Sequence, residues 1–223
     1  MDTKYNPNGF EKEIYKKWED CGYFKADVNK NKKPFTIVMP PPNVTGQLHL
    51  GHALNNTIQD IIIRYKRMAG FEALWIPGTD HASISTEAKV VGKIRSEGHT
   101  KKELGRDKFL EEAWAWTEQY GGRIKKQLRT IGVSCDWDYD SFTMDENLTR
   151  AVKRVFKKMY DDGLIYQGNR IVNWDVEAET AISDAEVYHV EKEGNLWYIK
   201  YFFEDSDEYI TIATTRPETM FGD

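Results

Sequence analysis

The 223-residue chain has little cysteine, no long apolar run and no strong excess of one charge. Its two cysteines, Cys21 and Cys135, are too few and too far apart for a disulfide framework or a metal knuckle, so a reducing cytosol is the expected compartment. No apolar stretch has the length of a membrane span, and residues 1–10 lack the apolar core of a signal peptide. A net charge of −5 excludes a global basic field for nucleic acid. These absences predict a cytoplasmic globular protein without a membrane partner.

Two common nucleotide-binding motifs are also missing. The chain contains neither Gly-x-x-x-x-Gly-Lys-Ser/Thr nor Gly-x-Gly-x-x-Gly, which argues against kinase-like and dinucleotide-binding sites. Its most informative stretch is instead Pro40–Leu54, PPPNVTGQLHLGHAL, in which His49 and His52 stand three residues apart around Gly51. The stretch lies between an apolar run and a helical pattern.

The hydrophobic pattern predicts an α/β fold for the first part of the chain. Phe35–Met39 and Ala73–Ile76 are short apolar runs typical of buried parallel strands, and residues 52–68 between them have helical periodicity. Strand, helix and strand in this order build doubly wound sheets. Residues 83–131 read as helical without an intervening strand, which predicts a helical insertion.

Two Thr-x-x-Glu patterns predict helix starts. Thr100 with Glu103 forms one capping box, and Thr143 with Glu146 forms a second that opens a helix reaching about residue 162. Both predictions depend on local sequence alone.

The last part of the chain has strand patterns and predicts antiparallel pairing. Gly168-Asn169 indicates a hairpin between residues 164–167 and 170–174. A second hairpin is expected between residues 196–202 and 209–214, around an acidic turn. The predicted domain boundary lies near Ser183, which gives domains 1–183 and 184–223.

The histidine pair predicts a phosphate site. A helix N-terminus offers free N–H groups and a partial positive charge, and two histidines on one face of its first turn can donate to triphosphate oxygens. Such a turn suits nucleotidyl transfer, in which the protein positions the reactants and stabilises phosphate charge. The alternatives are a zinc pair or two surface histidines. Zinc sites on helices prefer i, i+4 spacing, and only Asp80 and His81 stand near as further ligands.

Pro40–Leu54 resembles the first motif of the class I aminoacyl-tRNA synthetases, and in particular of the valyl-tRNA synthetases. Further blocks resemble that family in the family's order and cover nearly the whole chain: Pro77–Thr86, Ser134–Trp137, Phe142–Asp145, Val172–Trp174, Ala181–Val187 and Ala213–Met220.

The resemblance implies a fold and a set of site residues. The fold would be the first half of a Rossmann-like nucleotide-binding domain with a helical insertion, followed by the start of a β-rich editing domain. The implied catalytic residues are His49 and His52, which would bind the ATP phosphates and the transition state together with Thr45 and Gly51. The implied valine site consists of Pro41, Pro42, Asn43 and Asp80, and the implied editing residues are Thr214, Thr215, Arg216 and Thr219.

Physical chemistry is consistent with these roles, although simpler explanations exist. A carboxylate at Asp80 suits an ammonium group, and stiff prolines suit rejection of a larger side chain. An apolar pocket cannot strongly reject threonine, a limit for which valyl-tRNA synthetase is itself the recognised example. Without the histidines, the prolines would be read as a rigid turn and Asp80 as a helix cap.

The resemblance also implies the reaction. Valine and ATP, the latter with Mg²⁺, would form valyl-adenylate, and the valyl group would pass to tRNA(Val); the full-length parent would be monomeric. Many relatives bind zinc through cysteines after Asn-Trp, but residues 175–179 contain none, so no zinc is expected. Ser83 replaces a common glycine, and Glu87 replaces a common glutamine.

Lys-Met-Ser-Lys-Ser, the second half of the nucleotide fold and an anticodon-binding region are absent from the sequence. The chain is therefore expected to be an N-terminal fragment that is inactive or weakly active alone. Two alternatives stay open. One is an isoleucyl- or leucyl-type synthetase or another nucleotidyltransferase, and the other is a non-catalytic truncated module that binds tRNA or a partner.

Overall fold

The apolar runs of the first part form the parallel strands that the sequence predicts. In the computed structural model, which describes residues 4–222, β1 (Pro34–Val38) pairs in parallel with β2 (Glu72–Ile76). The register runs from Pro34 opposite Glu72 to Val38 opposite Ile76. The prediction of an α/β arrangement in this part of the chain is confirmed.

The described residues of this part contain five α-helices, of which the second packs directly on both strands. They are α1 (Glu11–Asp20), α2 (Leu50–Met68), α3 (Ser83–Ser96), α4 (Lys101–Thr130) and α5 (Glu146–Asp161). Within α4 the backbone breaks at Gly105, whose φ of 72° lies in the left-handed region that glycine adopts without strain. Three-residue 3-10 turns occur at Pro7–Gly9 and Trp137–Tyr139.

The main core lies where α2 and α4 cover the strands. Its buried members are Met39, Val44, Ile63, Ala73, Trp75, Ile124, Leu128, Val133 and Cys135. A smaller cluster of Val90, Ile94 and Phe109 joins α3 to α4. Burial of these side chains is what fixes the loop that precedes α2, because Val44 of that loop belongs to the main core.

A second parallel pair, which the sequence does not predict, forms a separate two-stranded sheet. β3 (Gly78–Thr79) pairs with β4 (Ser141–Phe142), and a backbone bridge joins Asn43 to Asp80. Residue 78 must be small, since a Cβ there would lie 2.9 Å from the carbonyl oxygen of Ser141. The helical region is therefore closed by a strand that returns beside residue 79.

One of the two predicted capping boxes forms and the other does not. Thr100 accepts from the N–H of Glu103 at 3.2 Å, and Glu103 accepts from the N–H of Thr100 at 2.9 Å. The prediction for Thr143 is wrong, because α5 begins at Glu146 after Asp145 and the Thr143 hydroxyl bonds elsewhere.

A second compact unit begins at Tyr166, whereas the first ends at Ile165. It contains two antiparallel hairpins, β5 (Asn173–Asp175) with β6 (Thr180–Ile182) and β7 (Trp197–Phe202) with β8 (Tyr209–Thr214). Short 3-10 turns occur at Asp184–Glu186 and Pro217–Gly222. The predicted boundary near Ser183 differs from this division and falls just after the first hairpin.

The hairpin predicted at Gly168-Asn169 is wrong, whereas the one around the acidic turn is confirmed. The chain reverses instead after Asp175, whose carboxylate accepts from the N–H groups of Glu177 and Ala178 at 2.9 and 2.7 Å. An aspartate that bonds backbone two residues ahead forms a turn by itself. Of the helices in residues 4–222, none combines the length and the hydropathy that a membrane crossing requires.

Candidate active site

His49 and His52 lie together at the start of α2. His49 is the residue before the helix, and the prediction that the helix starts at His52 is two residues late. The two ring centroids are 3.9 Å apart, and the planes are inclined by 48°. His49 is exposed and His52 is half-buried, so both rings border solvent at the helix N-terminus.

Backbone hydrogen bonds fix which ring nitrogens remain available. The N–H of His49 donates to Nδ1 of His52 at 3.3 Å, and the N–H of Gly51 donates to Nδ1 of His49 at 3.1 Å. A ring nitrogen that accepts carries no proton, so each neutral ring bears its proton on Nε2. Neither Nε2–H has a hydrogen-bond partner within residues 4–222, so both can donate to a ligand.

The electrostatic state of His52 suits this arrangement. Burial lowers the pKa of His52, and the neighbouring His49 lowers it further. The ring is therefore neutral near pH 7 when no anion is bound. A phosphate beside it would raise the pKa again, because a negative charge favours the imidazolium form.

Gly51 has a steric role that the sequence does not reveal. A Cβ at residue 51 would lie 2.9 Å from Cε1 and 3.0 Å from Nδ1 of His49. The ring of His49 thus packs against the bare backbone of the first helical turn. Any larger residue would displace it.

Side chains of α4 hold the loop before the histidines. The indole N–H of Trp116 donates to the carbonyl of Val44 at 3.0 Å, and Gln127 Oε1 accepts from the N–H of Leu48 at 3.0 Å. Thr45, half-buried between these anchors, makes no side-chain hydrogen bond within residues 4–222. The predicted insertion therefore positions the histidines as well as lengthening the chain.

The proline-rich loop and Asp80 are joined through their backbones. The N–H of Asp80 donates to the carbonyl of Pro42, and the N–H of Val44 donates to the carbonyl of Asp80, both at 2.9 Å. Pro42 is buried, whereas Pro41 and Asn43 are exposed. The structure thus brings together Pro42, Asn43 and Asp80 of the predicted valine set.

The carboxylate of Asp80 is held through one oxygen. Its Oδ1 lies 3.1 Å from the Thr143 hydroxyl, 3.2 Å from the N–H of Ala82 and 3.3 Å from Nδ1 of His81. Within residues 4–222 its Oδ2 takes no hydrogen bond, and the side chain is partly exposed. One oxygen is therefore anchored and the other is available to a cation.

Thr143 and His81 are residues that the sequence did not assign to the site. Thr143 follows β4, and its hydroxyl lies 2.9 Å from the backbone nitrogen and 2.6 Å from Nδ1 of His81. The Thr-x-x-Glu pattern at Thr143 predicts only the start of the helix that follows. Only the pairing of β3 with β4 reveals the contact.

The backbone after His81 is unusual. Ala82 and Ser83 have φ values of 52° and 37°, in the region that favours glycine. Strain of this kind persists where surrounding structure fixes it. Here the N–H of Ala82 is bonded to Asp80, and the Thr86 hydroxyl donates to the carbonyl of His81 at 2.6 Å.

The predicted editing residues lie in the second unit, at the end of β8. The N–H of Arg216 donates to the Thr214 hydroxyl at 3.0 Å, and the Thr219 hydroxyl donates to the carbonyl of Arg216 at 2.8 Å. Thr215 and the guanidinium of Arg216 make no side-chain hydrogen bond in the described part of the chain. The three bonded residues form one local turn.

A cleft of about 450 Å³ lies elsewhere, at the amino ends of β1 and β2. Its wall includes Asp27, Lys32, Thr36, Glu72 and Tyr139 but none of the predicted site residues. Ligands of parallel α/β sheets bind at the carboxyl ends of the strands, where the proline loop and Asp80 lie, so concavity alone does not mark the site here. No group of three metal-ligating side chains occurs in residues 4–222, and the absence of zinc stays a prediction.

Comparison with known proteins places these observations in a family. The profile of "tRNA synthetases class I (I, L, M and V)" matches residues 13–214. The chain is 56% identical over 223 residues to a valine–tRNA ligase of Clostridium perfringens and 59% identical over 223 residues to one of Clostridium acetobutylicum. A valine–tRNA ligase of Bdellovibrio bacteriovorus is 51% identical over the same length.

In each case the alignment covers 100% of this chain and 25% of the relative, so the chain spans about a quarter of the length of these proteins. A crystal structure of the ternary complex of Agrobacterium radiobacter K84 agnB2 LeuRS-tRNA-LeuAMS has a TM-score of 0.69 at 19% identity, over 98% of this chain and 33% of that chain. That likeness shows a shared fold. The chain belongs to the class I tRNA synthetases, within the group that comprises the isoleucine, leucine, methionine and valine enzymes, and over its whole length it is similar to the valine–tRNA ligases.

Proposed function

We propose that the protein containing this chain is a valine–tRNA ligase that activates valine with ATP and transfers it to tRNA(Val). The observation that carries the proposal is the similarity of the whole chain to valine–tRNA ligases. The free Nε2 atoms of His49 and His52 and the free Oδ2 of Asp80 support it, because they supply donors for phosphate and an acceptor for ammonium.

In the proposed first step, a carboxylate oxygen of valine attacks the α-phosphorus of ATP and pyrophosphate leaves. Mg²⁺ enters as part of the nucleotide substrate. The Nε2–H groups of His49 and His52 donate to phosphate oxygens, beside the N-terminus of α2. Thr45 and Gly51 line the same nucleotide site, where the bare backbone at residue 51 leaves room for the His49 ring.

Valine would lie against the proline loop. The Oδ2 atom of Asp80 accepts from its ammonium group, and Pro41, Pro42 and Asn43 border the isopropyl group. The bridge between Asn43 and Asp80 supports this assignment, since it holds the two parts of the pocket in one register. Such a bridge limits how far the pocket can open for a larger side chain.

We assign residues 1–183 to the first half of a Rossmann-like domain with a helical insertion, and residues 184–223 to the start of an editing domain. Thr214, Thr215, Arg216 and Thr219 would contact mischarged threonyl-tRNA there. The unpaired guanidinium of Arg216 supports the assignment, because a cation suits a nucleic-acid terminus. The parent is expected to act in the cytoplasm as a monomer without zinc.

The test of activation uses the full-length gene product. Valine-dependent exchange between ATP and pyrophosphate is expected, with isoleucine and leucine far less active. His52→Ala should lower the rate about 10²- to 10³-fold, the usual effect of losing one donor to developing charge. His99→Ala, which alters an exposed histidine outside the site, should leave the rate unchanged.

Other results would support the other functions. Exchange without valine indicates a different nucleotidyltransferase, and preference for isoleucine or leucine indicates another synthetase. Binding of tRNA without exchange, retained when both site histidines are alanine, indicates a non-catalytic module.

The editing assignment has its own test. In the full-length protein, Arg216→Ala should raise the accumulation of threonyl-tRNA(Val) about tenfold or more, because a charge-assisted contact is lost. Exchange with valine should not change. Arg170→Ala is a matched control, since the Arg170 guanidinium is already bonded to the Tyr166 hydroxyl at 2.5 Å. Equal accumulation in both variants would contradict the assignment.

A further inference from the structure

The Thr143 hydroxyl stands at a junction between two neighbouring side chains. It lies 3.1 Å from Oδ1 of Asp80, 2.6 Å from Nδ1 of His81 and 2.9 Å from the backbone nitrogen of His81. These contacts cross from the end of β4 to the end of β3. Thr143 is therefore fixed by the sheet, and its hydroxyl does not cap α5.

Counting protons assigns the direction of each bond. A hydroxyl has one proton to donate, and the ionised carboxylate of Asp80 can only accept. Thr143 therefore donates to Asp80 and accepts from the backbone N–H of His81. It also accepts from Nδ1 of His81, so that nitrogen bears a proton.

The same proton faces Asp80. Nδ1 of His81 lies 3.3 Å from Oδ1, within reach of a shared hydrogen bond. The His81 ring is also packed edge-on against Phe142, with ring centroids 6.4 Å apart. Packing and hydrogen bonding together restrict the ring to one orientation.

The donors that the described residues bring to Asp80 converge on Oδ1, and none of them reaches Oδ2. The geometry points to Thr143 as a positioning residue for amino-acid recognition, which holds the Asp80 carboxylate through His81 and Oδ1 so that Oδ2 meets the ammonium group of the substrate. This inference rests on the proposed valine activation. It adds a residue whose hydroxyl acts only through Asp80, without touching the substrate.

The consequence is a selective effect on one substrate. Without the hydroxyl, Oδ1 loses a donor, the backbone N–H of His81 loses its acceptor, and Nδ1 of His81 keeps only the longer contact of 3.3 Å to Oδ1. The carboxylate can then rotate, and the ammonium group binds less well. ATP binding at the start of α2 does not depend on these bonds.

The experiment measures steady-state exchange by the full-length protein for Thr143→Val, Thr143→Ala and Thr143→Ser. Thr143→Val and Thr143→Ala should raise the KM for the substrate valine about tenfold. A change of this size is expected when a hydrogen bond to a charged group is lost and water partly replaces it. The KM for ATP and kcat should stay within about twofold. Serine, which keeps the hydroxyl, should restore the parent KM.

Valinol tests whether the effect concerns the ammonium group, because valinol has that group and lacks the carboxylate. Its inhibition constant should rise by the same factor as the KM for valine. Thr130→Val is the matched control, since the Thr130 hydroxyl bonds only the carbonyl of Lys126, at 2.9 Å. That variant should match the parent in every constant.

Several results would overturn the inference. One is a KM for valine that does not change in Thr143→Val and Thr143→Ala, or a KM for ATP that rises equally. Another is an effect of Thr143→Ser as large as that of Thr143→Val, and a third is an unchanged inhibition constant for valinol. Far-UV circular dichroism checks that each variant is folded, and Thr143→Ala decides if Thr143→Val does not fold. Failure of the proposed function is separate, because the parent protein would then show no valine-dependent exchange.

Discussion

The backbone N–H of Gly51 donates to Nδ1 of His49 at 3.1 Å, and the absence of a side chain on Gly51 is what lets the ring come so close. The residue type at position 51 therefore controls the orientation of the His49 ring. A substitution at residue 51 can change the site without changing the stability of the fold.

Gly51→Ala should lower the activity of the full-length protein without unfolding it. The new Cβ would lie 2.9 Å from Cε1 of His49, and the ring, at the free end of its side chain, can move away. We expect valine-dependent exchange to fall at least about tenfold, whereas the free energy of unfolding changes by less than about 1 kcal/mol. Steady-state kinetics and thermal unfolding measure the two quantities.

The matched control for that variant is Gly122→Ala in α4, where a Cβ would meet no atom within 4 Å. It should keep full activity. Equal activity of the two variants would show that the His49 ring needs no fixed position.

The protonation of His52 gives a prediction for pH. Burial and His49 place its pKa below the ordinary value of about 6.5. As the pH falls, the unfolded chain therefore takes up this proton at a higher pH than the folded chain does. Protonation of His52 therefore lowers the free energy of unfolding as the pH falls below about 6.5. This decrease stops once the pH is below the pKa of His52 in the folded chain.

An NMR titration of the His52 ring, assigned with His52→Gln, should show a midpoint below 6.5 in the free protein. Addition of ATP should move it upward, because phosphate favours the cation. The exposed His189 is the control, since its signal should not respond to ATP. A midpoint for His52 that ATP leaves unmoved would contradict phosphate binding at this ring.

Ser134 should be important for stability. It is fully buried, its hydroxyl donates to Oδ1 of Asp60 at 2.5 Å, and it accepts from Nη1 of Arg67 at 2.8 Å. Ser134→Ala leaves a donor of the half-buried Arg67 guanidinium without its partner and should cost about 1 to 2 kcal/mol. Chemical denaturation measures the loss.

Ser96→Ala is the comparison, because the Ser96 hydroxyl is exposed and bonds only the carbonyl of Lys93. It should change the free energy of unfolding by less than about 0.5 kcal/mol. Similar changes in the free energy of unfolding for Ser134→Ala and Ser96→Ala would mean that the hydrogen bonds of Ser134 to Asp60 and Arg67 do not stabilise the fold.

Ser83→Gly should stabilise the protein. Ser83 has a φ of 37°, and relief of strain of about 1 to 3 kcal/mol there should exceed the cost of about 0.5 to 1 kcal/mol that glycine brings through the flexible unfolded chain. Ser85→Gly, within α3, should instead cost about 0.5 to 1 kcal/mol, because glycine is flexible in the unfolded chain. Thermal unfolding of the two variants should move in opposite directions, and a loss of stability in Ser83→Gly would refute the strain.

Local patterns predicted the local structure, and tertiary pairing decided the rest. Thr100 and Glu103 form the expected capping box because both partners lie within one turn. Thr143 and Glu146 have the same pattern, yet Thr143 bonds Asp80, 63 residues earlier in the chain. The sequence contains no local trace of that contact, since it follows from two strands of two residues each.

Hairpins show the same contrast. Strands β7 and β8 flank an acidic turn and pair as expected. Gly168-Asn169 has equally good turn residues, but the chain turns instead between Asp175 and Thr180, where the Asp175 carboxylate accepts two backbone N–H groups. The spacing of His49 and His52 predicted that they share one face of the helix. Which ring nitrogen carries the proton depends on backbone hydrogen bonds to Nδ1, which the spacing does not reveal.

The three prolines before Asn43 make the two ends of residues 40–52 differ in their hydrogen-bonding groups. Residues 40–42 supply carbonyl oxygens but no N–H groups, and the carbonyl of Pro42 is already bonded to Asp80. At the other end lie the positive end of α2 and the Nε2–H groups of His49 and His52. One short stretch of chain thus begins rich in acceptors and ends rich in donors. A zwitterion placed along it would have its ammonium group favoured at the proline end and its carboxylate favoured towards the histidines, which is the order in which an amino acid must face a nucleotide to be activated.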